Sequence, residues 1–289
     1  MPAVAPGKSK VPRLYKHLHA SWALALMILL GACGDAPNAT APNPAANKTA
    51  PKIPQVVTSD VKPWGFADQQ GKHQGMLVDF QRTLFARAGI EYKNNLQPYP
   101  RVIHAISTGY ADVAVMFSSP MANEAAVSLG HVLTVPIVIV VMANNTQDFK
   151  SLDDFNGMVV GHVRGSKYGE AFDNNPNFER VSIPHVDQAL RMLKAGRIDA
   201  MAATKQSLLY AMHETGFAGE SLRIALPLFE VHADLYVSRG AAQEPWVQPL
   251  KATLDAMRAD GSLTPSFYQS PHWPYFELCF HGNQCIATQ

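Results

Sequence analysis

Few residues in this 289-residue chain combine reactive side chains with suggestive spacing. Cys33 closes the run Leu30-Gly31-Ala32-Cys33. Small residues before a cysteine suit a signal peptidase, and the thiol can then carry a lipid. Cys279 and Cys285 enclose five residues and can form a small disulfide loop in an oxidising compartment. His281 lies between them, but no CxxC pair or second ligand cluster accompanies it, so no metal site is expected. The guanidinium of Arg101 can hold a carboxylate or phosphate through two parallel bonds, although an arginine at a helix end reads equally well as a surface residue. Eleven histidines are scattered, without an HExxH helix, a nucleophile elbow or a phosphate-binding P-loop. These residues therefore point to no catalytic machinery and to no cofactor.

Such side chains need elements to aim them, and the pattern of elements repeats. Val102–Val115 and Ala189–Ala202 each read as an amphipathic helix stopped by glycine, then an aspartate, then an apolar strand. Glycine ends a helix cheaply because it adopts the left-handed conformation. Two such units suggest two α/β lobes and a cleft between them, where small ligands bind. Around them, Gln55–Thr58, Met158–Gly161 and Leu235–Ser238 read as strands. The β-branched run Pro136–Met142 reads as a buried strand. A helix is expected from Asp79 to Gly89, through Phe80, Leu84, Phe85 and Ala88, and another from Trp246 to Ala259. Ser151-Leu152-Asp153-Asp154 reads as a helix cap with acids in the first turn.

The N-terminus points to export. Lys8, Lys10, Arg13 and Lys16 precede an apolar run of nine residues, Trp22–Leu30, which is too short to span a membrane and right for a signal sequence. Residues 1–32 are therefore expected to be a lipoprotein signal peptide. Residues 33–54, rich in Ala, Pro and Asn, are expected to be a lipidated cysteine followed by a disordered tether. Loss of the signal leaves 20 basic against 23 acidic residues, about −3, and no basic stripe that would suit nucleic acid.

The order of motifs resembles the family 3 extracellular solute-binding proteins over residues 55 to 270. Gly71–Asp79, Tyr99–Val115, Ser151–Ser166, Arg197–Ala200 and Ala259–Ser262 each resemble a segment of that family, in the family's order and spacing. The resemblance implies an α/β, two-lobed type II periplasmic-binding-protein fold with a ligand cleft between the lobes. It places the first lobe at 55–135 and 232–270, the second at 136–231, and a C-terminal tail at 271–289. The chain would cross between lobes near Pro136 and Val231.

The resemblance also assigns site residues. Trp64, after Pro63, matches an aromatic that lines the cleft, and Ser119 matches a ligand-bonding serine. Arg164, Gly165, Ser166 and Lys167 match the turn that offers backbone N–H groups to a carboxylate. The family's arginine for a ligand carboxylate falls at Glu124, and its aspartate for a ligand ammonium falls at Thr204. A buried ligand charge without a partner is costly. The expected solute is therefore small and polar or anionic, held by Arg101, Arg164 and Lys167, rather than a zwitterionic amino acid. The function so implied is that of a lipid-anchored periplasmic solute-binding protein, a monomer that presents its ligand to a membrane ABC permease. The alternatives are the ligand-sensing domain of a sensor kinase and a dehydratase-like cleft enzyme using Glu124 or Glu230 as a general acid.

Overall fold

The computed structural model describes residues 52–270 and the short strands 278–280 and 284–286. Cys33 and its flanking segments lie outside the described residues. The first half of the chain runs β1 (Gln55–Ser59), a small hairpin of β2 (Phe66–Ala67) and β3 (His73–Gln74), α1 (Met76–Ala88), β4 (Lys93–Gln97), α2 (Tyr99–Thr108), β5 (Val113–Phe117), α3 (Pro120–Ala125) and the long β6 (Ala126–Met142). A 3-10 turn, Leu152–Phe155, leads into β7 (Val159–Val163), α4 (Glu170–Asp173), β8 (Glu179–Ile183), α5 (Val186–Lys194), β9 (Ala200–Thr204) and α6 (Lys205–Thr215). After the turn Gly219–Ser221 come the long β10 (Leu222–Ser238), α7 (Val247–Ala259), α8 (Leu263–Tyr268), β11 (Leu278–Phe280) and β12 (Gln284–Ile286).

Eight strands form one sheet in the order β4-β1-β5-β10-β6-β9-β7-β8. The two ends follow the same plan. β4, β1 and β5 are parallel and β10 runs antiparallel beside them; β8, β7 and β9 are parallel and β6 runs antiparallel beside them. β6 and β10, 17 residues each, pair with one another along their length and belong to both halves. β10 meets β5 through Ala233–Val237, and β6 meets β9 through Ile137–Val140. Val135 and Val231 are paired between these two segments.

Strand alternation builds a core on each face of the sheet. In β6, Val138 and Val140 join one cluster while Ile137, Ile139 and Val141 join another. In β5, Val113 and Val115 face one way and Ala114 and Met116 the other. This two-sided burial is why Pro136–Met142 is apolar without a gap. In α5, Val186, Ala189, Leu190 and Leu193 form the single buried stripe of an amphipathic helix.

The repeated glycine and aspartate have a shared structural task. Gly109 and Gly196 take positive φ, 76° and 65°, where the two helices end. The next acid then ties down the first residue of its half's central strand. Asp112 accepts the Gln55 N–H at 2.9 Å and donates its own N–H to the Gln55 carbonyl at 2.7 Å. Asp199 accepts the Val159 N–H at 2.7 Å and donates its own to the Val159 carbonyl at 2.8 Å. Each pair satisfies backbone groups that a strand's first residue would otherwise leave to water.

Three boundaries differ from the sequence reading. α1 begins at Met76, with Gly75 at φ 118° as its cap, three residues before Asp79. Met76 and Leu77 are buried, and Asp79 sits within the first turn. α7 begins one residue after Trp246. Ser151 and Asp154 do form a reciprocal capping box, but on a 3-10 turn of four residues rather than on an α-helix. In the tail, β11 and β12 pair antiparallel, and β11 lies beside the turn Gly219–Ser221.

Candidate ligand site: the cleft between the lobes

Four parallel strands end at one place. Ser59 ends β1, Phe117 ends β5, Val163 ends β7 and Thr204 ends β9. All four line a cavity of about 570 Å³, mouth included. The carboxyl ends of parallel strands are the usual ligand position in α/β sheets, because the loops that follow carry variable side chains on a rigid frame. Leu133, Val135 and Ala233, from the two long strands, line it as well. The two lobes meet across this space.

The loop after β1 brings in Trp64, buried at 7% exposure. Its indole N–H donates to the Ser207 hydroxyl at 3.0 Å, a buried bond between the lobes. Ser207 is held in place because its backbone N–H donates to the Thr204 hydroxyl at 3.2 Å, the cap of α6. Tyr99, the first residue of α2, accepts the Phe117 N–H on its hydroxyl at 3.0 Å. Burial pushes its phenol up to about 12. Burial raises the Tyr168 phenol as well, against bonds with Ser166 and the Val163 backbone. Both phenols are therefore neutral in the folded protein at ordinary pH.

Further contacts join the lobes outside the cavity. Lys62 approaches Glu214 at 3.6 Å and lies 5.4 and 5.9 Å from the ring centres of Phe66 and Tyr210. Its ion pair is about half exposed on both sides, so it contributes little. The Gln206 amide donates to the Tyr268 hydroxyl at 3.3 Å. Gly165, at φ 76°, abuts Pro100; a Cβ built there would lie 2.1 Å from the proline Cγ. A wider groove adjoins the cavity, shares Val61 and Ser207 with it, and carries Asp60, Lys62, His185, Asp187 and Glu214.

The structure divides the residues singled out in the sequence. Trp64, Ser166 and Thr204 line the cavity, and Gly165 forms the lobe contact beside it. Arg101, Arg164 and Lys167 are exposed and lie outside the lining. Ser119 caps α3, accepting the Ala122 N–H at 3.1 Å. Glu124 is exposed, and its carbonyl accepts from Arg239 at 2.8 Å. Ser59, Tyr99, Tyr168 and Ser207 line the cavity without having been singled out. Ser207 was within reach of sequence reasoning, one helical turn after Thr204 on the same capped helix. Among the described residues no cluster of His, Cys, Asp or Glu could hold a metal ion, and no helix is long and apolar enough to cross a membrane.

Comparison with known proteins agrees with this architecture. The model for bacterial extracellular solute-binding proteins, family 3, matches residues 55–267. A probable amino-acid-binding protein of Bacillus subtilis, YxeM, is 22% identical over 258 residues, which cover 83% of this chain and 89% of that protein. A histidine kinase sensor domain with similarity to periplasmic binding proteins superposes with a TM-score of 0.66 at 19% identity, covering 76% of this chain and 96% of that one. The ligand-binding core of GluR0 from Nostoc punctiforme, in complex with L-glutamate, superposes with a TM-score of 0.62 at 17% identity, covering 76% and 99%.

Proposed function

The chain belongs to the bacterial extracellular solute-binding proteins, family 3, and from that premise we propose that it captures one small solute by closing its two lobes and presents the closed form to a membrane ABC permease. The observation that carries this reading is the cavity where four strand ends from two lobes converge, bridged by the Trp64–Ser207 bond. A ligand seated there touches both lobes at once, so it binds the closed arrangement better than the open one and shifts the population toward it. The site acts by binding alone, without turnover. Native mass spectrometry of freshly purified protein tests the reading: a retained small molecule is expected, and its removal should lower the melting temperature. Protein that carries nothing, and that no solute stabilises, would refute it.

The family is extracellular or periplasmic in setting, and the finer location follows from the N-terminus. Leu30-Gly31-Ala32-Cys33 supports a mature chain that begins at a lipidated Cys33, tethered to a bacterial membrane as a monomer by residues 33–54. The intact mass of the membrane-extracted protein should then start at Cys33 and include acyl chains. In the tail, Cys279 and Cys285 are direct partners across the β11–β12 ladder. That register supports a disulfide, since paired positions on antiparallel strands have Cα atoms within bridging range. Thiol labelling of unfolded, unreduced protein should find neither cysteine reactive.

A further inference from the structure

We infer that the cavity takes an uncharged ligand, with an apolar body and one or two hydrogen-bonding groups, rather than an anion or a zwitterion; this rests on the solute-capture reading above. Sixteen described residues line the cavity, and none of them is Asp, Glu, Lys, Arg or His. The polar side chains among them are the hydroxyls of Ser59, Ser166, Thr204 and Ser207 and the neutral phenols of Tyr99 and Tyr168. The rest is apolar, including Trp64, Leu77, Leu133, Val135, Val163 and Ala233.

This composition separates ligand classes by charge. A carboxylate moved from water into such a space gives up its hydration and meets only neutral donors, whose bonds are about half as strong as charge-assisted ones. An ammonium meets only neutral acceptors. A zwitterion suffers both losses. A neutral amide or hydroxyl fits the inventory instead. Thr204 and Ser207 already accept one hydrogen bond each, from the Ser207 N–H and the Trp64 indole, and each keeps a proton to donate to a ligand carbonyl. An apolar body gains from the aliphatic and aromatic side chains of the lining.

Charge is present nearby but placed elsewhere. Asp60, Lys62, His185, Asp187 and Glu214 line the adjoining groove, and Arg101, Arg164 and Lys167 are exposed. The ammonium of Lys62 faces Glu214 and two aromatic rings. The adjoining groove thus carries the charged side chains, while those that line the cavity are neutral.

The test holds the ligand body constant and changes its charge. Phenylacetamide, phenylacetate and L-phenylalanine share a benzyl body and are respectively neutral, anionic and zwitterionic. 3-Methylbutanamide, 3-methylbutanoate and L-leucine form a branched aliphatic set; indole-3-acetamide, indole-3-acetate and L-tryptophan form an indole set. Each is titrated into the full mature protein by calorimetry at pH 7, with thermal shift and the radius of gyration from X-ray scattering as parallel readouts. The expected result is that in at least one set the neutral member binds at least tenfold more tightly than both charged members. A charged member that binds as tightly as its neutral counterpart, or more tightly, overturns the ligand class and leaves solute capture standing. No binding by any of the nine overturns the ligand class, and solute capture falls with it only if the freshly purified protein also carries no retained molecule.

Discussion

A single side chain couples the lobes at the centre of the site. Trp64 and Ser207 are 143 residues apart in the chain, yet they share a buried hydrogen bond. Trp64→Phe keeps an apolar ring there and removes the N–H. A neutral bond of this kind contributes about 0.5–1.5 kcal/mol net. The closed form, and with it ligand affinity, should weaken about twofold to tenfold, while the melting temperature of the ligand-free protein moves by only a few degrees; titration calorimetry with the retained ligand reads the first and a thermal melt the second. Tyr99 gives a second expectation. Its phenol is held near 12, above the value of about 10 of an unfolded chain. The folded state therefore keeps a proton that the unfolded state releases above pH 10. The urea midpoint should be flat through pH 9 and fall as pH rises from 10 through 12, and Tyr99→Phe should make that fall shallower. The sequence made Trp64, Ser166 and Thr204 visible because they sit at motif positions. Ser59 and the two tyrosines were not, since a hydroxyl at a strand end and phenols near helix starts leave no periodic trace, whereas Ser207 follows from the Thr204 cap of its helix. Arg101 attracted attention for its chemistry, but exposure depends on the turn of α2 that carries it, and its neighbour Val102 is the residue that turns inward.

At the scale of elements, the repeated helix–glycine–aspartate–strand unit was the most legible feature, and its two aspartates make a quantitative comparison possible. Asp112 is 2% exposed and also pairs with Lys52 at 2.6 Å. Asp199 is exposed and makes the same backbone bond. Asp112→Ala removes a buried carboxylate that accepts the Gln55 N–H in a part-buried bond and should cost about 1–2 kcal/mol. Asp199→Ala lets water replace the carboxylate and should cost about 1 kcal/mol or less. Asp112→Asn keeps an acceptor for the Gln55 N–H and loses a pair whose lysine is 48% exposed, so its cost should stay under about 1 kcal/mol. Urea unfolding of the three variants gives the order directly; equal losses for Asp112→Ala and Asp199→Ala would show that burial does not set the strength of the tie. Less of the pairing was legible. Pro136–Met142 reads as a short strand, but it is the second half of a 17-residue one. Its first half, through Gly130 and His131, carries exposed residues that hide the strand from an apolar count. The start of α1 was misplaced for a related reason. Gly75 begins the helix through its φ of 118°, with no side-chain cap to mark it.

Residues 52–270 form two similar halves that share a pair of long strands, and ligand capture would act on the angle between them. Gly165 reports on that angle. In this structure a Cβ at this position would lie 2.1 Å from the Cγ of Pro100 in the other lobe, a distance no relaxed contact reaches. When the lobes part, Pro100 moves away and only the backbone term remains, about 1 kcal/mol for alanine at positive φ. Gly165→Ala should thus disfavour the closed form far more than it destabilises either lobe. Gly196→Ala supplies the control. Its φ is 65°, and a Cβ there meets nothing within 4 Å, so it bears the backbone cost without the clash. Ligand affinity should fall at least tenfold in Gly165→Ala and stay within about twofold in Gly196→Ala, with similar melting temperatures for the two ligand-free variants. X-ray scattering should show that saturating ligand contracts Gly196→Ala and contracts Gly165→Ala less. If Gly165→Ala binds and contracts as Gly196→Ala does, the Pro100–Gly165 contact is not part of the ligand-bound state, and the cleft closes along a different path from the one the two long strands suggest.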